Sequence, residues 1–402
     1  MRLDGESLSN LERSLYFNPF MRIFCLLVLC LALSAHAQDR VRRPREAVRK
    51  DATSEKPASP RAERDRQIAA QFAPQLHQGL GENPRADYIT NFDFDGDWRG
   101  DNNWNNLNDR KFALRAFVYY SVSETPTHYF VHYAFFHPRD YKGDVITSTL
   151  LDSVLRQTLP RIGKDPTGRA DDVALSHEND LEGCLIVAVK NENDLQRAQV
   201  QYVETMAHNA YLKYYAPGVS SAVGDPIELD GSHPRLYAEP KGHGVMRYTS
   251  EAVQLNQKLK GVLVYNFTGR ADEPDAQATT VGYDLVSIYD TLWQRAQKGA
   301  NETFGETTDY ATRIVQRVSL DAQAVQKIAP IEQAFGQVGT AFLGKMGFQN
   351  KARPPWAWYD ESERERPRGE WFFDPASVIA RHFKLGAEWA TTYSYNPYFK
   401  VE

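Results

Sequence analysis

The chain has 402 residues, a formal net charge of −5 and 42% hydrophobic residues, ample for a sizeable core. Residues 38–67 hold ten Lys/Arg against six Asp/Glu and residues 1–37 balance, so the body carries −9. An acidic body argues against nucleic acid as the main partner.

Met21-Arg22 precedes an apolar run, Ile23 to Ser34, which ends in Ala35-His36-Ala37. A charged start, a short apolar core and a small-x-small cleavage site read as a secretory signal over residues 1–37, with Met21 as an alternative start. The core is too short for a transmembrane helix, and Leu29 before Cys30 is too bulky for a lipoprotein site. The mature chain would begin near Gln38 and be secreted or periplasmic. Cys25 and Cys30 fall in the signal, so Cys184 alone survives and no intramolecular disulfide forms. Residues 38–65 are rich in Arg, Pro, Ala and Glu and read as a disordered basic linker, either a solvated spacer or a segment touching an anionic surface.

From there the chain reads as a single globular domain over 66–402. Arg64 to Phe72 has an amphipathic helical pattern that ends at Pro74. Residues 93–104 are turn-rich. Ala113 to Ser121 and Thr127 to Phe136 are dense in aromatic and β-branched residues and read as strands. Val145 to Leu159 has helical spacing, and a polar loop, 161–176, follows. Glu182 to Val189, Arg197 to Ala207, Pro234 to Glu239 and Gly261 to Phe267 read as further strands. Tyr283 to Gln297 and Asp321 to Phe342 read as helices, the second kinked near Pro330. An aromatic-rich wrap, Pro354 to Pro375, leads to a helix over Pro375 to Phe383. The pattern predicts a mainly β fold: a β-sandwich with helical insertions and a partly helical C-terminal extension.

The most informative stretch is His177-Glu178-Asn179-Asp180-Leu181-Glu182-Gly183, which runs into the apolar strand Cys184 to Val189. Alternation along a strand puts Asp180 and Glu182 on one face, with His177 close enough for a turn to fold it over them. Like charges on one face repel, and a hard cation relieves them. The same three residues read equally as turn and strand-edge groups with solvated charges.

The spacing His177-x-x-Asp180-x-Glu182 is similar to the Gly-His-Arg-His-Asp-Trp-Glu heptapeptide of the necrosis- and ethylene-inducing peptide-like proteins. It also resembles the His-x-Gly-Asp-Trp-Glu core of a vacuolar-sorting-related family. Other landmarks follow in order. Tyr133 to Asp140 resembles the aromatic strand before the heptapeptide, and Thr205 to Tyr211 resembles the Ser-x-His-Gly segment after it. His233 to Ala238 with Gly242-His243-Gly244 resembles the later Pro-x-Val-Tyr and Ser-His segment. The resemblance covers roughly residues 110–245. It implies that His177, Asp180, Glu182 and Asp140 surround a divalent cation, calcium or magnesium foremost and manganese also suited. Leu181 and Asn179 stand where the family has Trp and His, and residues 141–176 set Asp140 unusually far from His177.

His208 and His243 are candidates for proton transfer or ligand contact near that cation. His132 and His137 read as packing or rim residues and His128 as a surface residue. Asp93-x-Asp95-x-Asp97 has the start of a calcium loop but carries Trp104 where a bidentate Glu belongs, so a turn with Asp side chains capping amides fits better. Cys184, inside an apolar strand, reads as a buried inert thiol. Serine-elbow, His-Glu-x-x-His, phosphate-loop and dinucleotide motifs are missing from the sequence.

The leading expectation is a secreted protein whose cation cleft engages a polar lipid headgroup or glycan. One alternative is a metal-dependent hydrolase of phosphoesters or glycan esters. Another is a structural cation in an envelope protein that acts through protein contacts.

Overall fold

Ser59 caps the first helix, its hydroxyl accepting from the Ala62 N–H, and Pro60 stands at the first helical position. This helix, α1, spans Pro60–Phe72 and buries Ile68, Ala69 and Phe72. It begins earlier than its apolar spacing indicates, so residues 60–65, expected as linker, are helical. The computed structural model describes residues 59–141, 176–191, 194–255, 259–318, 327–344 and 352–401. Residues 58–402 form one compact unit. The signal, the linker up to residue 58 and the helix expected at Val145 to Leu159 lie outside the described residues.

The strands follow in order: β1 Gln75–Leu80, β2 Phe117–Glu124, β3 His128–Asp140, β4 His177–Val189, β5 Gln199–Ala207 and β6 Ala210–Tyr215. Then come β7 Asp225–Pro226, β8 Leu229–Asp230, β9 His233–Ala238, β10 Val245–Arg247, β11 Gly261–Phe267 and β12 Thr280–Ser287. Among the described residues these twelve form one sheet, ordered β10–β9–β1–β11–β12–β2–β3–β4–β5–β6–β7, with β8 paired to β9. The sheet is mixed: β1–β9, β11–β12, β12–β2 and β6–β7 run parallel and the other pairs antiparallel. It curls into a half-barrel, and β10 at one end returns to pack on β5 and β4. The mainly β expectation therefore holds, while the two-sheet sandwich is replaced by one sheet folded back on itself. Residues at i and i+2 carry the same alternation in either architecture, so strand patterning does not separate them.

Two expected helices are corrected. Tyr283–Ser287 belongs to β12, and only Tyr289–Trp293 and Gln294–Ala296 are helical. Tyr283 is fully buried and its hydroxyl donates to the Pro74 carbonyl at 2.7 Å, a strand contact that overrides helical spacing. Asp321 to Phe342 is instead largely strand: β14, Lys327–Phe342, pairs antiparallel with β13, Phe304–Val318, as a separate two-stranded sheet. Pro330, Gly336 and Gly339 disfavour a helix there.

β3 is the axis of the core, since all thirteen of its residues are buried. Tyr133 donates to the Ala69 carbonyl of α1 at 2.6 Å, whereas His132, on the opposite face, accommodates the C-terminal segment. A strand covered on both faces reads as a mostly apolar run, and Tyr129 to Phe136 is apolar but for His132. The C-terminal segment contains α2, Pro375–His382, close to its expected span, and runs on to a short turn at Pro397–Phe399. It docks through polar groups as well as rings. The Trp371 indole N–H donates to Glu204 Oε2 at 2.8 Å, and His382 Nδ1 lies 2.6 Å from Glu204 Oε1. The His132 imidazole Nε2 donates to the Trp371 carbonyl at 2.9 Å and meets its ring edge-on.

Burial drives the His132 imidazole down to about 3 from an ordinary 6.5, despite the carbonyl hydrogen bond that favours charge. Below pH 6.5 the unfolded chain takes up a proton that the folded chain refuses. Stability contributed by the neutral ring is thus lost as pH falls from about 6.5 towards 3. His132→Gln should flatten that dependence by about 1.4 kcal/mol per pH unit, measured by urea unfolding at pH 4, 5 and 6. An unchanged slope would rule this out. His132 and His137 are packed inside, as expected. His128 is a correction: it is 7% exposed, bonded to Gln201 at 3.0 Å and set against Trp389.

Candidate functional site

The β3–β4 ladder runs from His128 opposite Val189 to Asp140 opposite His177, and its far end gathers the candidate residues. His177 Nε2 lies 3.4 Å from Asp140 Oδ2. His177 Nδ1 lies 2.7 Å from the Asn179 carbonyl oxygen. A carbonyl only accepts, so Nδ1 carries a proton and, in the neutral ring, Nε2 turns a lone pair towards Asp140. Metal-binding histidines are oriented in this way.

Asn179 adopts a left-handed conformation, φ +60°, which asparagine tolerates better than most residues. Its amide donates to the Gly100 and Leu343 carbonyls, each at 2.9 Å, and its oxygen accepts from Asn103 at 2.7 Å. This position, a histidine in the resembling family, is here a clamp joining the 93–104 loop and Leu343, just past β14, to β4. Glu178 accepts from the Trp104 N–H at 2.7 Å, and the Arg139 guanidinium lies 3.7 Å over the Trp104 ring. The loop itself is a turn of the expected kind. Asp95 accepts from the Asp97 N–H and Asp97 from the Arg99 N–H.

Asp180 and Glu182 stand opposite His137 and Phe135 in register, on one face as the strand period predicts. Asp180 Oδ2 is 2.8 Å from His243 Nδ1. Asp87, in the short helix Pro84–Asp87, approaches the other side of that ring, with Oδ1 3.4 Å from Nε2. Asp87 also accepts the Gly81 N–H at 2.7 Å, the Lys241 N–H at 2.8 Å and the Tyr141 hydroxyl at 3.0 Å. His137 stacks on His243 with ring centres 3.7 Å apart, and its Nε2 reaches Gln78 at 3.1 Å.

Burial opposes charge on His243, but the Asp180 and Asp87 carboxylates outweigh it and raise the ring to about 9. Burial, and then the charge of His243, push His137 far below its ordinary value. A charged imidazole between two acids therefore rests on a neutral one.

His208 differs from His243 in access. It pairs with Glu239, and its side chain is 44% exposed. A Cβ on Gly244 would come within 3.1 Å of both His208 Nε2 and Glu239 Oε1, so this pair lies against the residue after His243. The C-terminal segment approaches from the other direction. A Cβ on Gly183, just past Glu182, would meet the Tyr133 carbonyl at 2.2 Å and the Trp358 ring at 2.9 Å. Only glycine leaves room there. Cys184 is buried and burial pushes its thiol up, as its apolar setting predicts.

The donors fit a hard cation in kind: three carboxylates and an imidazole whose Nδ1 is already satisfied. In arrangement Asp140 pairs with His177 and Asp180 with His243, and Glu182 belongs to neither pair. Among the described residues no group of three or more His, Cys, Asp or Glu side chains is placed to hold a metal ion. Sequence reasoning missed Asp87, Gln78 and Glu239. Glu239 was within reach, four residues before His243. Asp87, ninety residues from the motif, carried only the weak signal of an acid set among Ala86, Tyr88 and Ile89.

No family model matches the sequence, and no curated protein matches it. Solved structures do. One titled as a toxin fold for microbial attack and plant defence has 14% identity and a TM-score of 0.28, covering 58% of this chain and 77% of its own. A complex of NLPPya with glucosamine has 15% identity and a TM-score of 0.28, covering 60% and 80%. Necrosis and Ethylene inducing Protein 2, from the causal agent of cocoa's Witches Broom disease, has 17% identity and a TM-score of 0.24, covering 58% and 74%. The structural neighbours of this chain are thus necrosis- and ethylene-inducing peptide toxin-fold proteins, similar to it at low identity.

Proposed function

We propose that this chain is an exported divalent-cation-binding protein whose cleft at the end of the β3–β4 ladder engages a polar ligand, a lipid headgroup or a glycan. The observation that carries this reading is His177, whose Nδ1 is tied to the Asn179 carbonyl while Nε2 faces Asp140. Asp140, His177 and Glu182 would hold calcium or magnesium, and Asp180 would join them by exchanging His243 for the ion. The bound ion supplies positive charge and open positions for a ligand's oxygens. His137 and Asp87 keep His243 in place beside it, and the Asn179 clamp holds the strand end rigid.

Metal analysis of the purified protein should find about one equivalent of calcium or magnesium. At a hundredfold excess of ion over its Kd, binding adds about 2.7 kcal/mol of stability, which EDTA should remove. Asp180→Asn should weaken the metal response. A metal-free protein with the same melting temperature in EDTA and in calcium would sink this reading.

A second reading, metal-dependent hydrolysis of phosphoesters or glycan esters, is favoured by the accessible His208–Glu239 pair. His243 is fully buried with both nitrogens facing carboxylates, which leaves His208 as the residue able to exchange protons with a substrate. Turnover of an ester panel that disappears in His208→Ala, with metal content unchanged, would favour it over the binding protein.

A further inference from the structure

We propose that a cavity remote from this cleft, between α1, β2, the Tyr289 turn and the C-terminal segment, is a second binding site, for a neutral polyhydroxylated molecule such as a sugar or polyol. The cavity measures about 450 Å³, a volume suited to a small ligand. Tyr120, on its wall, pairs with Tyr133 of β3, seven residues before Asp140. At strand spacing that places it roughly 23 Å along β3 from the cleft. The site is independent of the cation reading.

The ligand class follows from what the walls offer and refuse. Tyr120, Tyr289 and Tyr395 contribute aromatic surface, and Tyr289 is the one exposed large hydrophobic among the described residues, at 38%. Apolar surface of this kind packs against the C–H faces of a ring, while Tyr and Ser hydroxyls and carboxylates bond its hydroxyls. Charges of both signs line the cavity, so neither a simple anion nor a simple cation is well received.

Arg61 is already committed. Its guanidinium bonds Asp65, bonds Glu124 at 2.6 Å and lies 3.3 Å over the Tyr395 ring. Tyr395 in turn donates to Asp65 at 2.9 Å. Arg61, Asp65 and Tyr395 thus form a rigid wall with its charges matched internally. Burial raises the Asp65 carboxyl to about 6 even against Arg61. At the mouth, Asp290 and Lys400 are exposed and of opposite sign. With serine hydroxyls such as Ser287 on the same lining, they offer acceptors and donors to an uncharged polyol.

Saturation-transfer NMR on the full protein tests this with glucose, galactose, mannose and myo-inositol, and with inorganic phosphate and spermidine as charged controls. At least one neutral probe should bind, and Tyr289→Ala and Asp290→Ala should each weaken it by about tenfold. Both residues are exposed, so both variants should keep the parental melting temperature. A variant that melts early would be replaced by Tyr289→Leu or Asp290→Asn, read the same way. Binding should persist in EDTA and in Asp180→Asn. Four results would overturn the proposal: no binding by any neutral probe, stronger binding of a charged control, binding unaffected by both variants, or loss of binding in EDTA. The last would place the sugar in the cation cleft instead.

Discussion

Replacing Asp87 by alanine is expected to cost about 3–5 kcal/mol of folding stability, the scale for removing one partner of a buried charged network. The carboxylate is fully buried and accepts two backbone N–H groups and the Tyr141 hydroxyl, with His243 on its remaining side. Truncation leaves two amides and a hydroxyl without their acceptor in a dry interior, and a charged imidazole with one carboxylate instead of two. It also releases His243 from one side, so Asp180 loses the orientation of its partner. Asp87→Asn keeps the shape and should cost clearly less. Urea unfolding of the three proteins at pH 7 measures both differences. A loss below about 1 kcal/mol in Asp87→Ala would mean that water enters and satisfies the cluster, and that Asp87 does not organise the site.

Glu204→Ala is expected to have a loss of the same order, about 3–5 kcal/mol, for the same physical reason. Glu204 lies on β5, fully buried, and holds the C-terminal segment by two contacts, the Trp371 indole and the His382 ring. Removing it buries an unpaired indole N–H and strips the His382 Nδ1 of its carboxylate, leaving that ring only the 3.4 Å contact of Nε2 with Glu363. The change should be local first: trypsin or chymotrypsin should cut within 352–401 at concentrations that spare the parent, before the sheet unfolds. Glu204→Gln retains an acceptor for Trp371 and should fall between the two. Equal resistance of Glu204→Ala and the parent to both proteases would show that the rings hold the segment without the acid.

These two acids also mark the limit of what could be read in one dimension. The motif at 177–182 was visible because its pattern is local: alternation within a strand puts Asp180 and Glu182 on one face, and the ladder keeps them there. The strands β3, β4, β5, β9 and β11 were legible for the same reason, as was the C-terminal helix, where Asp374 caps a helix opened by Pro375. Strand β14 and the second half of β12 were not. Their apolar spacing suits a helix as well as a strand, and partners from β13 and from β11 and β2 decided between them.

Composition, the charge balance of the acidic body, the signal-like start and the local acid–histidine pattern belong to the sequence alone, because each depends on neighbours within a few residues. Which partner each acid meets belongs to the tertiary structure. Asp180 could have turned to an ion or to solvent by its own spacing, yet curling of the sheet carries β10 back onto β4 and β5 and places His243 at 2.8 Å from it. Asp87 reaches the same ring from more than one hundred and fifty residues away in sequence, along a path that no periodicity encodes. Contacts between strands distant in sequence are set by register and packing, and those determine whether Asp140, His177 and Asp180 share one shell or separate, with Asp180 turned to His243.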